Sequence, residues 1–283
     1  MLKQRIITAL VLIAILLPAM FAASPWPFSL LLLVMIGAAG WEWGRLNATG
    51  AAGAVALGIA VTVAGALTLA AGWPLAPPPM LWSVAMLCWV LGAAWVLRGG
   101  VAAWPRIAAP VRWVLGALLL WTAWLALAAA KVIGINFMLS VFCLVWAADI
   151  AAYFGGRRFG RNKLAPGISP GKSWEGVWSG MLGAVALAAF WLWLDSAFAF
   201  DSASLYTRLL GRFGIAGGVL VLVFLAAMSV VGDLFESLVK RGAGAKDSSG
   251  LLPGHGGVLD RIDALLPVFP ITLALLSLRP VNL

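Results

Sequence analysis

The sequence predicts an all-α integral membrane protein with about nine transmembrane helices, a cytoplasmic N-terminus and a C-terminus on the opposite side of the membrane. Three observations lead to this fold class. Of the 283 residues, 63% are hydrophobic and only 10% are charged, whereas a soluble domain carries about 25% charged residues. Long apolar runs recur along the chain, and most Lys and Arg residues fall in every second connection between them.

Nine apolar runs approach the length of about 20 residues that a helix needs to cross a bilayer. Helices are the expected spanning element because lipid cannot satisfy exposed backbone groups. Connections that contain Gly, Pro or charged residues separate most of the runs. The predicted spans are residues 6–23, 26–44, 51–72, 79–97, 111–130, 133–153, 173–194, 213–238 and 259–278.

The first run also has the pattern of a secretory signal peptide, with Lys3 and Arg5 before an apolar stretch that ends near Ser24. Further spans follow at once. A first transmembrane helix is therefore the favoured interpretation.

The orientation follows from the basic residues, because cytoplasmic connections carry an excess of Lys and Arg. With the N-terminus inside, 15 of the 19 basic residues fall on the cytoplasmic side: Lys3, Arg5, Arg45, Arg98, Arg106, Arg112, Arg157, Arg158, Arg161, Lys163, Lys172, Lys240, Arg241, Lys246 and Arg261. The other four are Lys131, Arg208, Arg212 and Arg279. One helix more or fewer would spoil this asymmetry.

The chain divides into two regions of different chemistry. Residues 1–130 hold about five spans and a single acid, Glu42. Residues 131–283 hold about four spans, two polar cytoplasmic loops and the other nine acids. We expect the catalytic region in this second part.

Three other classes of protein fit the composition less well. The net charge of +9 does not indicate nucleic-acid binding, because the basic residues lie in short loops between apolar runs. Cys88 and Cys143 lie inside apolar runs and suggest neither a zinc site nor a disulfide framework. The sequence has no convincing internal repeat, which gives no support to an inverted-repeat transporter.

Four acids at the ends of the last two spans form the first candidate site. Asp233 and Glu236, with Ser237, share one helical face, and Asp260 and Asp263 repeat the three-residue spacing. Two helices joined by a short loop pack together, so we expect these carboxylates to face one another. Mg²⁺ would relieve their repulsion, since it prefers hard oxygen ligands. The alternative is that they form structural salt bridges with Lys240, Arg241 and Arg261.

The loop between these spans has the chemistry of a phosphate site. Lys240, Arg241 and Lys246 can clamp phosphates, although Lys240 and Arg241 can also be membrane anchors. The glycines around His255, in the turn 253–257, let backbone N–H groups approach an anion. The single histidine can bind phosphate or shuttle a proton. Carboxylates for Mg²⁺ beside phosphate-binding groups indicate phosphoryl or nucleotidyl transfer.

A second polar stretch, residues 149–176, precedes the seventh span. Its Gly171-Lys172-Ser173 run resembles a P-loop only superficially, because Pro166 replaces the first glycine and no strand is predicted before it. Asp149 is a candidate metal ligand or lysine partner. The stretch is either an anion site or a solvated basic loop.

Both stretches resemble the phosphatidate cytidylyltransferases, also called CDP-diacylglycerol synthases. The similarity lies in Ser-x-x-Lys-Arg from Ser237, Lys246-Asp247, and Pro-Gly-His-Gly-Gly-x-x-Asp-Arg-x-Asp up to Asp263. Gly-Arg-x-Phe-Gly and Ile-Ser-Pro-Gly-Lys-Ser-Trp-Glu-Gly in residues 149–176 add to it. Residues 1–130 resemble the family only in hydropathy. Ser173, Ser249 and Ala264 stand where Thr, Gly and Ser are expected, but none of these changes removes an acid, a cation or the histidine.

The resemblance implies a reaction of CTP with phosphatidic acid that gives CDP-diacylglycerol and pyrophosphate, with Mg²⁺. It implies that Asp233 and Asp260 hold the metal with Asp263 beside them, and a second, monovalent cation is a further candidate. The implied catalytic residues are Asp233, Asp260, Asp263, Lys240 and His255. The implied substrate-binding residues are Asp149, Lys172, Ser173, Glu175, Ser237, Arg241, Lys246, Asp247, Gly256, Gly257 and Arg261.

The leading hypothesis is a multi-pass nucleotidyltransferase of phospholipid biosynthesis in the inner (plasma) membrane, with its active site facing the cytoplasm. The expected partners are CTP, phosphatidic acid and the lipid bilayer, with a homodimer as a candidate assembly and no nucleic acid. The alternatives are a CTP-dependent lipid or prenol kinase and a cation-coupled transporter. A transporter is less favoured, because its acids tend to lie at the midplane between repeats.

Overall fold

The computed structural model describes residues 2–278, which form a bundle of helices with one small hairpin. The helices are α1 (Leu2–Phe21), α2 (Trp26–Leu46), α3 (Gly50–Ala70), α4 (Pro79–Leu87), α5 (Ala93–Gly99), α6 (Ala109–Ile133), α7 (Ile135–Phe159), α8 (Trp174–Ala197), α9 (Leu205–Gly242), α10 (Leu259–Ile262) and α11 (Leu265–Ser277). A π-helical turn, Cys88–Gly92, joins α4 to α5, and a 3₁₀ turn, Val101–Arg106, follows α5.

The predicted class of all-α membrane protein is confirmed. Within residues 2–278, seven helices are long and apolar enough to cross a membrane, and two shorter apolar helices lie at Ile6–Phe21 and Leu265–Ser277. These nine segments coincide with the nine predicted runs, and the count of nine full spans stays a prediction. The orientation stays a prediction, and Arg279 lies outside the described residues.

The long helix α9 contains a break at Gly214, which has φ 67° and ψ −176°. Glycine adopts such a backbone conformation without the steric cost that a Cβ would add. The break separates a short first segment from the apolar helix that follows it. The predicted eighth span, residues 213–238, therefore begins at the break.

The prediction of one continuous ninth span over residues 259–278 was wrong. The segment divides into α10 and α11 at Asp263 and Ala264. Pro267 supplies the physical reason, because a proline lacks the N–H that would bond the carbonyl four residues earlier, which is that of Asp263, and its ring crowds that carbonyl.

Helix α11 is a half-helix inside the bundle. Its 13 residues extend about 20 Å at 1.5 Å per residue, which is less than the hydrocarbon thickness of about 30 Å. Its residues Leu265–Ala274 are buried, and it packs against α4, α6, α7 and α9. Its N-terminal end, at the break, is thus surrounded by protein, which is the condition under which interrupted helices are tolerated at membrane depth. Ser277, at its C-terminal end, is exposed.

Small residues bring α7 and α8 close together. A Cβ on Gly180 would lie 2.8 Å from the carbonyl oxygen of Ala148, and one on Gly176 would lie 3.0 Å from that of Ala152. Backbones approach this closely only where side chains are small. The contact places the start of α8 beside the middle and end of α7.

A two-stranded antiparallel hairpin leads into α8. It pairs β1 (Lys163–Ala165) with β2 (Ser169–Ser173), and Lys163 lies opposite Ser173. The expectation that no strand precedes the Gly171-Lys172-Ser173 run was therefore wrong. Pro166 still stands where a P-loop has its first glycine.

Candidate functional site

A cavity of about 530 Å³ opens where α7, α8, α9 and β2 meet. Its charged lining consists of Asp149 and Arg157 from α7, Lys172 from β2 and Asp233 from α9. Pockets for small molecules commonly have volumes of about 300–1,000 Å³. The cavity is thus large enough for part of a nucleotide or a lipid headgroup, and it offers charges of both signs.

Asp233 is held from two sides. The Nζ of Lys172 lies 2.6 Å from its Oδ2, and the Oγ of Ser237 donates to its Oδ1 at 3.2 Å. Lys172 reaches Asp233 from the hairpin, so this ion pair joins the two polar stretches of the sequence. One residue of each stretch thus meets the other at the cavity.

Asp263 lies beside Asp233, in the break between α10 and α11. Gly232 makes this approach possible, because a Cβ at that position would overlap the carbonyl oxygen of Asp263. One oxygen of the Asp263 carboxylate accepts the N–H of Ala264 at 2.8 Å. Burial and then the negative charges of Asp233 and Asp149 raise the pKa of Asp263.

The acids at and beside the cavity have the chemistry of divalent-cation ligands. Among residues 2–278, no group of three His, Cys, Asp or Glu side chains is close enough to hold a metal ion by itself. Asp233, Asp263 and Asp149 nevertheless offer carboxylate oxygens at or beside the cavity, and Lys172 pairs with the first of them. Mg²⁺ is usually bound by one or two carboxylates, substrate phosphates and water.

Asp260 does not face this group of acids in the arrangement described here. Its Oδ1 lies 2.6 Å from the Nζ of Lys240, and its Oδ2 accepts the N–H groups of Ser248 and Gly257 at 2.9 and 2.7 Å. Burial alone would raise the pKa of Asp260, but these bonds lower it to about 2. The three predicted metal ligands are therefore not together: Asp233 and Asp263 are neighbours, and Asp260 is bound elsewhere.

Lys240 lies between two carboxylates rather than at the cavity. Its Nζ is 2.5 Å from Glu236 Oε2 and 2.6 Å from Asp260 Oδ1. The Glu236 side chain is only 2% exposed, and its Oε1 has no hydrogen-bond partner among the described residues. For Glu236 and Asp260 the structure thus has the salt bridges that the sequence left open as an alternative.

The glycine turn before α10 binds anions that belong to the protein itself. The N–H of Gly257 donates to Asp260, and the N–H groups of Val258 and Leu259 donate to Glu42 at 2.9 and 2.8 Å. A Cβ on Gly256 would lie 2.6 Å from Asp260 Oδ2, so this close approach requires glycine. A phosphate that used these N–H groups would first have to displace a carboxylate.

Glu42 belongs to this region, although no role was predicted for it from the sequence. It is the only acid of residues 1–130 and lies near the end of an apolar helix. Its side chain is fully buried. Ionisable residues within spans are functional candidates by default. The sequence therefore marked Glu42 as a candidate, but it could not show which residues bind its carboxylate.

The remaining loop residues lie around this turn. The Nδ1 of His255 is buried and has no hydrogen-bond partner within residues 2–278. Arg261 donates from Nε to the carbonyl of His255 at 3.0 Å, and Arg241 donates to the carbonyl of Ala245 at 3.0 Å. Four of the predicted substrate-binding side chains are exposed around the turn: Arg241, Lys246, Asp247 and Arg261.

Two predicted substrate-binding residues at the start of α8 have local partners. The Oγ of Ser173 accepts the N–H of Gly176 at 3.2 Å and caps the helix. Glu175 accepts the N–H of Arg161 at 3.1 Å and both donors of Asn162. These contacts fix the hairpin on α8 and hold Lys172 at the cavity.

Known proteins resemble this chain over half to nearly all of its length. The sequence profile of the Cytidylyltransferase family matches residues 3–279. A phosphatidate cytidylyltransferase of Pseudomonas aeruginosa is 40% identical over 298 aligned positions, which cover 98% of this chain and 97% of the relative. A Haemophilus influenzae protein of the same name is 50% identical over 137 residues, 48% of this chain and 44% of its own. One from Bacillus subtilis is 36% identical over 147 residues, 51% of this chain and 49% of its own.

Proposed function

The chain belongs to the cytidylyltransferase family, and from this premise we propose that it is a multi-pass membrane enzyme that converts CTP and phosphatidic acid to CDP-diacylglycerol and pyrophosphate. The observation that carries the proposal is the cavity in which Lys172 and Asp233 pair and Asp263 stands beside them. The kinase and transporter alternatives have no comparable support, since the relatives are named for cytidylyl transfer.

The reaction needs no nucleophile from the protein. An oxygen of the phosphatidate phosphate attacks the α-phosphorus of CTP, and the bond between this phosphorus and the oxygen that bridges to the β-phosphate breaks. Pyrophosphate leaves with the electron pair of that bond. The enzyme must bring two anionic reactants together and align them, which is mainly positioning and electrostatic stabilisation.

We expect Mg²⁺ as the cofactor, held by Asp233 and Asp263 with Asp149 nearby. Mg²⁺ supplies charge neutralisation for the phosphates and for the leaving pyrophosphate. Without a cation, these acids would repel both substrates. Asp260 would contribute by a different route in this arrangement, because its carboxylate binds Lys240 and the loop around Ser248. A second, monovalent cation stays a candidate without a site among these contacts.

Basic residues around the cavity and the loop can bind the phosphates. Lys172 and Arg157 line the cavity itself. Arg241, Lys246 and Arg261 are exposed beside the loop, where they can meet the triphosphate of CTP. His255 presents a buried ring nitrogen that has no partner in the described part of the chain, which suits a hydrogen bond to substrate.

The site lies at the end of the bundle that holds the predicted cytoplasmic loops. We therefore propose that it faces the cytoplasm, where CTP is available, and that the chain resides in the inner membrane. Lys and Arg dominate the connections at this end, as cytoplasmic connections do. A cysteine introduced at exposed Lys246 should react with a membrane-impermeant maleimide only in inverted vesicles.

The test is an assay of the purified protein in detergent with CTP, phosphatidic acid and Mg²⁺. We expect release of pyrophosphate and appearance of CDP-diacylglycerol, loss of both with a chelator, and recovery when Mg²⁺ is added back. Diacylglycerol or polyprenol with CTP labelled in the γ-phosphate tests the kinase alternative. Label transferred to lipid, with no pyrophosphate from phosphatidic acid, would contradict the proposal.

A further inference from the structure

Glu42 joins the first half of the chain to the loop that carries Asp260. It lies on α2, and its carboxylate has four donors, all from residues 206 to 217 positions later. Val258 N and Leu259 N donate to its two oxygens at 2.9 and 2.8 Å. The hydroxyls of Ser248 and Ser249 approach the same oxygens at 3.2 and 2.5 Å.

Ser248 links the carboxylates of Glu42 and Asp260. Its Oγ is 3.2 Å from Glu42 Oε2 and 2.9 Å from Asp260 Oδ2, and its backbone N–H also donates to Asp260. A serine hydroxyl has one hydrogen and two acceptor lone pairs. It can therefore donate to only one of these carboxylates at a time, so the position of Ser248 depends on both.

The turn is shaped to admit the Glu42 side chain. A Cβ on Gly257 would overlap both Glu42 Oε1 and Ser248 Oγ. Glu42 itself is completely buried, and burial of a charged or polar group is costly unless hydrogen bonds replace water. The loop supplies those bonds, and in return the carboxylate holds Ser248, Ser249, Val258 and Leu259 at one point.

We propose that Glu42 is a positioning residue for the reaction: it fixes the start of α10 and, through Ser248, the carboxylate of Asp260. This inference rests on the proposed function for its catalytic consequence. Asp260 follows Leu259 directly, and Asp263 lies three residues further on. Movement at the start of α10 therefore displaces both acids relative to Asp233. Glu42 touches no cavity residue in these contacts and acts through the loop.

The experiment compares Glu42→Gln with Ser29→Ala, a buried serine on the same helix. Glutamine keeps the shape of the side chain, but its NH₂ group cannot accept the hydrogen bonds that one carboxylate oxygen accepts. Loss of partners that orient metal-binding carboxylates typically reduces metal affinity or activity by roughly 10- to 100-fold. We expect a fall of that size in kcat, a higher Mg²⁺ requirement, and little change in both parameters for Ser29→Ala.

Hydrogen exchange provides a readout that does not depend on activity. In Glu42→Gln, we expect faster exchange in residues 248–259, while α2 and α9 keep the protection of the wild type. Wild-type kcat, Mg²⁺ requirement and exchange in a folded Glu42→Gln would overturn the proposal. The proposal would also be overturned if the activity fell only in proportion to the amount of folded protein and the hydrogen-exchange protection fell throughout α2.

Ser248→Ala tests the proposal if Glu42→Gln does not fold. It removes the hydroxyl between the two carboxylates and leaves the Ser248 N–H bond to Asp260 in place. We expect a smaller change in the same direction for kcat and for exchange in residues 248–259. No change in either quantity would overturn the proposal. If the wild type itself makes no CDP-diacylglycerol, the proposed function fails, and the exchange measurement alone decides whether Glu42 fixes the loop.

Discussion

At the end of the bundle that holds the cavity, Glu42 and Asn47 of the first half differ from Asp263 and His255 of the second half in how their polar atoms are bonded. In the first half, Asn47 is fully buried and accepts bonds from Trp104, Arg112 and Trp113, and Glu42 accepts four. In the second half, Asp263 lies within electrostatic reach of Asp233 and Asp149, and His255 Nδ1 is buried without a partner among the described residues.

The comparison also holds between the two ends of the second half. At the end away from the cavity, Asp195 accepts bonds from Asn136, Ser204 and Thr207, and Asp201 accepts the N–H groups of Ile135 and Asn136. These acids complete a structural network. A cluster of acids such as Asp149, Asp233 and Asp263, in contrast, marks a place where a ligand can complete the bonding.

Lys240→Met is the variant with the largest expected effect on stability. It leaves Glu236 and Asp260 without their shared cation, and breaking a buried ion pair typically costs about 3–5 kcal/mol. Thermal and denaturant unfolding in detergent measure this change. The double variant Lys240→Met/Glu236→Gln should recover part of the loss. A Lys240→Met variant that is stable but inactive would instead indicate that Lys240 acts in the reaction, like the charged residues of the cavity.

Asp233→Asn and Asp263→Asn should reduce kcat/KM by about 10²–10³-fold, the size of effect seen when one preorganised electrostatic group is removed. Both changes remove a negative charge from the proposed Mg²⁺ site with little change in shape. Pyrophosphate release measures the effect. Asp201→Asn makes the same chemical change at the opposite end, and its activity per folded molecule should equal that of the wild type. An equal loss of activity per folded molecule in all three variants would show that the acids at the two ends do not differ in their role.

Asn47→Ala tests whether the first half is structural apart from Glu42. It removes the acceptor of Trp104 and Arg112, and an unsatisfied buried donor costs about 1–3 kcal/mol. We expect a lower unfolding temperature with unchanged kcat and KM in the folded fraction. A kcat loss as large as that of Glu42→Gln would show that the whole end of α2 positions the loop.

Thr8→Val should have the smallest effect. Thr8 of α1 donates to the carbonyl of Pro253 at 3.0 Å in an exposed position, and a hydrogen bond contributes about 0.5–1.5 kcal/mol net. We expect at most this loss of stability and slightly faster hydrogen exchange at residues 251–255. A large drop in activity would mean that α1 holds the turn as strongly as α2 does.

Much of the site could be predicted because its charged and polar residues are concentrated in two short stretches of the sequence. The spacing of Asp233, Glu236 and Ser237 identified one helical face, and the Ser237–Asp233 bond lies on it. The ion pair of Lys172 with Asp233 could not be predicted, since it joins a hairpin to a helix. Asp260 was placed with the other acids because its spacing matched, but Lys240 and the Ser248 N–H lie closer to it.

Composition and local spacing determined the class of protein, the apolar segments and the two polar stretches where its chemistry lies, because these properties depend on neighbours along the chain and on the contrast between lipid and water. The tertiary structure alone decided which carboxylate meets which cation, that the last apolar segment is a buried half-helix, and that Glu42 supports a loop more than 200 residues away. Helix packing decides these contacts. The sequence offers several acids of the same chemistry, and any of them could have paired with a given cation or loop.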